Sequence, residues 1–320
     1  MTFSEEQTAA LAAWMSEQFG RDVEVTACRR VATGHSRAMV RVETNSGAFM
    51  VRMEQGGVFG TSGVEEYGVM AALGRAGYPV ATVRGAEESG RVLGRPFFLM
   101  DWIDVPPPPG GDERAMDEDA AASFIEALAR LHSLDTTLLT GAFGDLPSTP
   151  SEAVHLQIDR WAALYRRSVG ETVPLLEEGA AWLHHFAPPL ERLSIVHGDA
   201  GPGNVLFRDG RTLAVTDWEF SHLGDPAEDW SFTLAIRGRR TRSADEWKGL
   251  FERHAGFTMT DAGWLYWEAF NLFKGACANT STLALFEAGT NRSPNMAIIG
   301  THLHQTFLRR LASITAESLP

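Results

Sequence analysis

The segment from Val196 to Glu219 constrains the fold of this 320-residue chain more than any other. It reads Val-His-Gly-Asp-Ala-Gly-Pro-Gly-Asn-Val-Leu-Phe, a short turn, then Leu-Ala-Val-Thr-Asp-Trp-Glu. Asn204 to Phe207 and Thr212 to Asp217 are apolar, β-prone runs that flank Arg208-Asp209-Gly210-Arg211. Asp-Gly between such runs predicts a two-residue hairpin loop. In that hairpin Arg208 pairs with Arg211, Leu206 with Leu213 and Asn204 with Val215. Side chains alternate faces along a strand, so Asn204 and Asp217 fall on one face at the open end. Facing residues on paired strands lie about 5 Å apart, close enough for two oxygen ligands to share an ion. Gly198, Gly201 and Gly203 let the preceding loop, which carries Asp199, turn tightly.

An Asp, an Asn five residues later and a second Asp ending a strand are what phosphoryl transfer with Mg²⁺ requires. In that reading Asp199 is the catalytic base that accepts the proton of the attacking hydroxyl. Asn204 and Asp217 hold the metal on the ATP phosphates. The plainer alternative is that His197 and Asp199 only tie up a Gly-Pro turn. Asn204 and Asp217 alone would merit it. All four residues together with the hairpin favour the chemistry.

A chain of this length can build two lobes with real cores. The net charge of −13 argues against a nucleic-acid partner, which wants a basic patch. Residues 1–101 hold 10 basic and 12 acidic side chains, and the remainder 18 and 29, so the acidity lies with the metal motif. Cys28 and Cys277 make neither a disulfide framework nor a zinc pattern, which suits a reducing, cytoplasmic location. The N-terminus lacks a signal layout, and no apolar run approaches transmembrane length. Lys248 and Lys274 are the only lysines, so a phosphate-holding cation in the first part of the chain must be an arginine.

Along the chain, 4–19 is expected as an amphipathic helix with Leu11, Met15 and Phe19 on one stripe. Strands are expected over 23–31, 38–44 and 48–53. Thr33-Gly34-His35-Ser36-Arg37 forms a polar turn between the first two, and Arg52 lies on the third. Ser62-Gly63-Val64-Glu65 opens a helix by a capping box, with Tyr67, Met70 and Ala71 as its inner stripe. Glu66 can reach back from this helix to Arg52, a strand cation clamped by a helix carboxylate as in kinases. Phe97 to Met100 is a buried strand ending in a hinge at Asp101-Trp102-Ile103, and a proline-rich loop follows. From about 117 the chain is mainly helical, with helices near 151–168, 175–187, 261–288 and 295–316. Asp225-Pro226 starts another.

These residues together resemble the aminoglycoside phosphotransferase family, within the wider kinase-like fold that includes choline kinases. The resemblance rests on Gly34-His35-Ser36, Arg52, Glu65-Glu66-Tyr67, Met100-Asp101-Trp102, His197-Gly198-Asp199, Asn204, Asp217-Trp218-Glu219 and Gly224-Asp225-Pro226. It implies an α+β, two-lobed protein-kinase-like fold. A small antiparallel-sheet lobe at 1–101 would bind nucleotide, and a larger helical lobe at 102–320 would carry the catalytic loop, metal and acceptor. It assigns Asp199 as base, Asn204 and Asp217 as Mg²⁺ ligands, Arg52 and Ser36 to phosphate and Glu66 to orienting Arg52. The backbones of Asp101 and Ile103 would bind adenine, and Asp229 would brace the loop. The implied partner is a small-molecule hydroxyl acceptor, for a monomer or homodimer with no nucleic acid or membrane. The antibiotic kinases carry lysine at the position of Arg52. Arg52 and Tyr266-Trp267-Glu268-Ala269-Phe270 look more like a subgroup also fused to acyl-CoA dehydrogenases, so the resemblance implies as acceptor either an aminoglycoside-like antibiotic or a hydroxylated metabolite such as a hydroxyacyl-CoA. One rival is a nucleotide-binding module without turnover. Another is a serine hydrolase using Ser36 in a Gly-x-Ser-x-Gly-like elbow. That elbow needs a following helix, whereas Met39 to Glu43 alternate like a strand.

Overall fold

The computed structural model describes residues 3–31, 37–54, 62–105, 116–143, 147, 149–290 and 293–317. Helix α1 (Glu5–Phe19) begins with a reciprocal Ser4–Gln7 capping box and ends at left-handed Gly20. Strands β1 (Val25–Val31), β2 (Arg37–Thr44) and β3 (Gly47–Glu54), helix α2 (Gly63–Arg75), and strands β4 (Val83–Glu87) and β5 (Phe97–Asp101) follow. The five strands form one antiparallel sheet in the order β1-β2-β3-β5-β4. Alternation along β2 and β3 gives the sheet two chemistries. Ala38, Val40, Val42, Phe49, Val51 and Met53 pack with Leu11 and Met15 of α1. Arg37, Met39 and Arg52, out of phase with those, face the cleft.

Helix α2 turns a different face inward from the expected one. Tyr67 and Ala71 are only half-buried, whereas Glu66, Val69, Met70, Ala72 and Leu73 are buried. The i, i+3, i+4, i+7 stripe therefore begins at a carboxylate. The basic face of the sheet makes that burial tolerable.

The rest of the chain is largely helical. Helices α3 (Glu118–Ser133), α4 (Pro150–Ser168) and α5 (Pro174–His185) precede strands β6 (Ser194–Val196), β7 (Val205–Arg208), β8 (Arg211–Val215) and β9 (His222–Gly224). Helices α6 (Ala227–Phe232), α7 (Ala244–Ala255), α8 (Asp261–Glu287), α9 (Pro294–Ile298) and α10 (His304–Glu317) complete it. Phe124, Leu128 and Leu131 are buried on α3, in a core shared with α2, the β7–β8 hairpin and α7. The 27-residue α8 is the axis of the second half. Its Trp267, Phe270 and Phe273 join α4, α5 and α10 in a separate core. Among the described residues no helix is long and apolar enough to cross a membrane.

The β7–β8 hairpin keeps its expected turn and loses its expected register. Asp209 and Gly210 both have positive φ (53° and 71°), as a type I′ turn demands, and Arg208 opposes Arg211. Beyond them Phe207 pairs with Thr212, Leu206 with Ala214 and Val205 with Val215. Leu213 is bulged out of the ladder, so neither Leu206–Leu213 nor Asn204–Val215 forms. Asn204 instead accepts the Thr216 N–H on its carbonyl at 2.9 Å. Elements β4, β6, β9 and α7 were not anticipated. The first three are three to five residues long and carry little periodicity. The last has a legible capping box at Ser243 and Glu246.

Close packing in the helical half depends on Gly300. A Cβ there would lie 2.5 Å from the Leu283 Cβ and 2.7 Å from its Cα. Alanine gains about 1 kcal/mol of helix propensity, but overlap with backbone on α8 costs about 1–3 kcal/mol. Gly300→Ala is therefore expected to lower the melting temperature by a few degrees, read by differential scanning calorimetry. An unchanged or raised value would refute this packing.

Candidate active site

The loop 197–204 is held from below by buried charge. Asp229 on α6 is fully buried and accepts the N–H groups of His197 and Gly198, each at 2.8 Å. It also pairs with His132 Nε2 at 2.9 Å. Burial pushes its carboxyl up, and His132 and His197 more than reverse this, leaving it below the usual aspartate range. Lys274 on α8 donates to the Gly198 carbonyl at 2.7 Å and to Glu228 at 2.6 Å. Glu228 also meets His222 at 3.1 Å. His197 ties the loop to the end of β8. Its Nδ1 accepts the Asp199 N–H at 3.2 Å, so its Nε2 carries the proton and donates to the Thr216 carbonyl at 2.9 Å. Gly198 is required here, since φ is +79° and a Cβ would lie 2.5 Å from the Phe220 carbonyl oxygen.

The expected base and metal-binding residues meet at one end of this loop. Asn204 Nδ2 donates to the Asp199 carbonyl at 2.9 Å and to Asp199 Oδ2 at 2.8 Å. Its amide nitrogen is thereby spent, and the amide oxygen is its remaining donor of lone pairs. Asp217 ends the hairpin in a left-handed conformation, φ 69° and ψ 60°, costly for a residue with a Cβ. That twist, rather than strand alternation, turns its carboxylate into the cleft. Asp199, Asn204, Asp217 and Arg52 all line one cavity of about 1070 Å³. One amide and one carboxylate offer hard oxygen ligands of the kind Mg²⁺ takes. Among the described residues no three His, Cys, Asp or Glu side chains gather as a separate metal site.

Arg52 and Glu66 pair as expected, with Nε 3.1 Å from Oε2. Arg52 Nη2 also bonds Asp217 Oδ1, so a single guanidinium joins β3, α2 and the hairpin. The sequence reading missed Arg37, whose Nε lies 3.1 Å from the same Glu66 oxygen and 3.8 Å from Glu219. It also missed Arg237, which grips Asp199 with both Nε (3.0 Å to Oδ1) and Nη2. Lys274 carried no motif either. Arg37 adjoins a polar turn and Lys274 is one of only two lysines, weak signals at best, while nothing in the sequence marks Arg237.

Ser36, with the rest of 32–36, lies outside the described residues. The strand β2 begins directly after it, so the helix that a hydrolase elbow needs is missing. Asp101 ends β5 and Ile103 follows it, and neither is among the residues that line the cavity. The Asp101 carboxylate pairs with Arg84, at 2.7 and 2.6 Å. Its N–H bonds the Thr82 carbonyl at 2.8 Å.

Burial raises Asp217, and the neighbouring Arg52 more than offsets it, so this carboxylate stays ionised. Glu219 goes the other way. Burial, with Asp217 adding to it, pushes Glu219 up to about 8. Its proton is bound in the folded protein and released on unfolding, so its contribution to stability is complete below the ordinary glutamate range. That contribution is lost as pH rises towards about 8. Glu219→Gln should therefore flatten the pH dependence. Relative to wild type, its melting temperature should rise between pH 5 and pH 9. A constant difference across that range would show that Glu219 is already ionised.

Comparison with known proteins bears on the fold and the family. A 235-residue stretch is 28% identical to mouse acyl-CoA dehydrogenase family member 10, covering 66% of this chain and 22% of that protein. The chain thus spans about a fifth of that relative's length. A crystal structure from Ralstonia eutropha, described as a candidate aminoglycoside phosphotransferase, superposes with a TM-score of 0.70 at 25% identity. It covers 98% of this chain and 99% of its own. Aminoglycoside phosphotransferase APH(4)-Ia, solved as a thermostable mutant with ADP and hygromycin B, gives a TM-score of 0.62 at 13% identity. That match covers 97% of this chain and 99% of the other, and it speaks to the fold alone. The family model for the phosphotransferase enzyme family matches residues 27–267, and the chain belongs to that family.

Proposed function

We propose that this protein is an ATP-dependent small-molecule kinase whose acceptor is a hydroxylated, anionic metabolite with an apolar portion, such as a hydroxyacyl-CoA. The observation that carries the kinase reading is the convergence of Asp199, Asn204, Asp217 and Arg52 on one cavity. Asn204, through its amide oxygen, and Asp217 would hold Mg²⁺, which would supply charge neutralisation for the phosphates. Arg52, oriented by Glu66, would hold phosphate, with Ser36 contributing from the turn before β2. The Asp101 carbonyl and the Ile103 backbone would meet adenine at the hinge. Asp199 would orient the acceptor hydroxyl and take its proton as the new O–P bond forms. The bond from γ-phosphorus to the bridging oxygen breaks, and ADP leaves with the electron pair. Most of the rate gain in such a site comes from positioning and charge neutralisation.

The lining of the cavity supports this acceptor class. Its described carboxylates are Asp199, Asp217 and Glu219, all in the catalytic cluster. The rest of the wall carries Arg239, Arg240 and Arg310, the last paired with Glu268, together with Phe232, Ile236, Met296 and Phe307. Asn279 Nδ2 and Trp161 Nε1 are buried there without hydrogen-bond partners among the described residues. Both are donors and so suit carbonyl, carboxylate or phosphate oxygens. A polycationic antibiotic needs acceptors on that wall, and like charges facing each other cost several kcal/mol.

Asp199→Asn is expected to cut turnover by about 10²–10⁴ while leaving Mg²⁺-ADP binding nearly intact by calorimetry. Asp217→Ala should weaken that metal-dependent binding. Loss of nucleotide affinity in the first variant, or unchanged affinity in the second, would contradict these roles. An ATP-consumption screen over hydroxyacyl-CoAs, hydroxy acids, sugars, choline-like amines, macrolides and aminoglycosides tests the acceptor class. Turnover is expected with anionic acceptors, and turnover confined to aminoglycosides would overturn the assignment.

A further inference from the structure

Among the described residues, Arg237 is the one cation in the cleft that grips the candidate base. It stands at the end of a π-helical turn, Thr233–Arg237, that continues α6. Its guanidinium meets both oxygens of Asp199, and Asn204 Nδ2 meets one of them as well. So held, Asp199 has a donor on each oxygen, which occupies lone pairs that an acceptor hydroxyl would need. The catalytic loop is shaped to admit this arginine. A Cβ on Gly201, where φ is +150°, would lie 2.4 Å from the Arg237 Cβ, so a side chain at 201 would push Arg237 off the loop.

The placement fits a second partner. Asp199 marks the hydroxyl side of the reaction and Asp217 the metal side, so the transferring phosphoryl group must lie between them. Arg237 stands at Asp199, and both Asp199 and Asp217 favour its charge. Its side chain keeps 37% of its surface exposed and lines the cavity. By contrast Arg52 is 7% exposed and locked by Glu66 and Asp217. Arg37 is 5% exposed, beside Glu66 and Glu219. A guanidinium offers a planar pair of donors that fits carboxylate and phosphate alike. Its bond to Asp199 is therefore exchangeable for one to phosphate with little change of geometry.

Resting on the phosphotransfer reading above, we propose that Arg237 is a catalytic residue that holds the γ-phosphoryl group. It gives up Asp199 as that group arrives and so releases the base to the acceptor hydroxyl. The exchange breaks no covalent bond and moves no proton. Two donors pass from a carboxylate to phosphate oxygens, and Asp199 regains its lone pairs for the incoming O–H.

The test needs no knowledge of the acceptor. Calorimetry with Mg²⁺ would compare ADP and the non-hydrolysable ATP analogue AMP-PNP on wild type, Arg237→Gln and Arg237→Lys. Wild type should bind AMP-PNP more tightly than ADP. Arg237→Gln should lose about tenfold or more of that preference with its ADP affinity little changed. Arg237→Lys should recover part of the preference, which a merely structural defect would not allow. Acceptor-free ATP hydrolysis should fall by about 10²–10³ in Arg237→Gln. A preference for AMP-PNP retained in Arg237→Gln would overturn the proposal and leave the kinase reading standing. Wild-type protein that binds neither nucleotide would overturn both.

Discussion

The candidate active cleft depends on Arg52, a buried guanidinium shared between two carboxylates from different parts of the chain. Glu66 comes from α2 and Asp217 from the end of the β7–β8 hairpin. Burial disfavours each of these charges alone. With Arg37 on the other side of Glu66, the cluster brings three arginines, counting Arg237, against Glu66, Asp199, Asp217 and Glu219. A proton on Glu219 removes the surplus negative charge, in line with its upward displacement to about 8. Removing one partner leaves a buried charge uncompensated, so α2, β3 and the hairpin are expected to hold their relative positions as a unit.

A second buried layer lies beneath the first. Asp229, His132, Lys274, Glu228 and His222 direct their polar groups at the backbone of 197–198 and at one another. The loop that carries Asp199 is thus fixed by groups that do not line the cavity, apart from Lys274, which does both. Under the proposed function, fixing the loop from behind leaves its front face to the ligand, and pre-set geometry of this kind accounts for much of enzymatic rate gain.

Much of this was legible in the sequence, because Asp199, Asn204 and Asp217 lie within one short segment whose Asp-Gly turn is unambiguous. Arg52 and Glu66 were legible as a strand cation near a capped helix. The reasoning about side-chain faces was less sound. It placed Asn204 and Asp217 together through an unbulged ladder, whereas Leu213 bulges and the left-handed backbone of Asp217 does the turning. The inner face of α2 was misjudged because its stripe was drawn through apolar Tyr67, Met70 and Ala71, whereas the partner of Arg52, Glu66, is itself on the buried face. Arg237 lies 38 positions from Asp199 and Lys274 lies 76 from Gly198. Tertiary packing alone brings such pairs together, and one sequence holds no local signal for it. The arginine-rich far wall was beyond reach for the same reason.

The most direct test of the central claim is a crystal structure of the protein with Mg²⁺ and AMP-PNP. The account predicts a cation at about 2.0–2.1 Å from the Asn204 amide oxygen and the Asp217 carboxylate, with the terminal phosphate directed at Asp199. A nucleotide bound elsewhere, or a cation that touches neither residue, would contradict it.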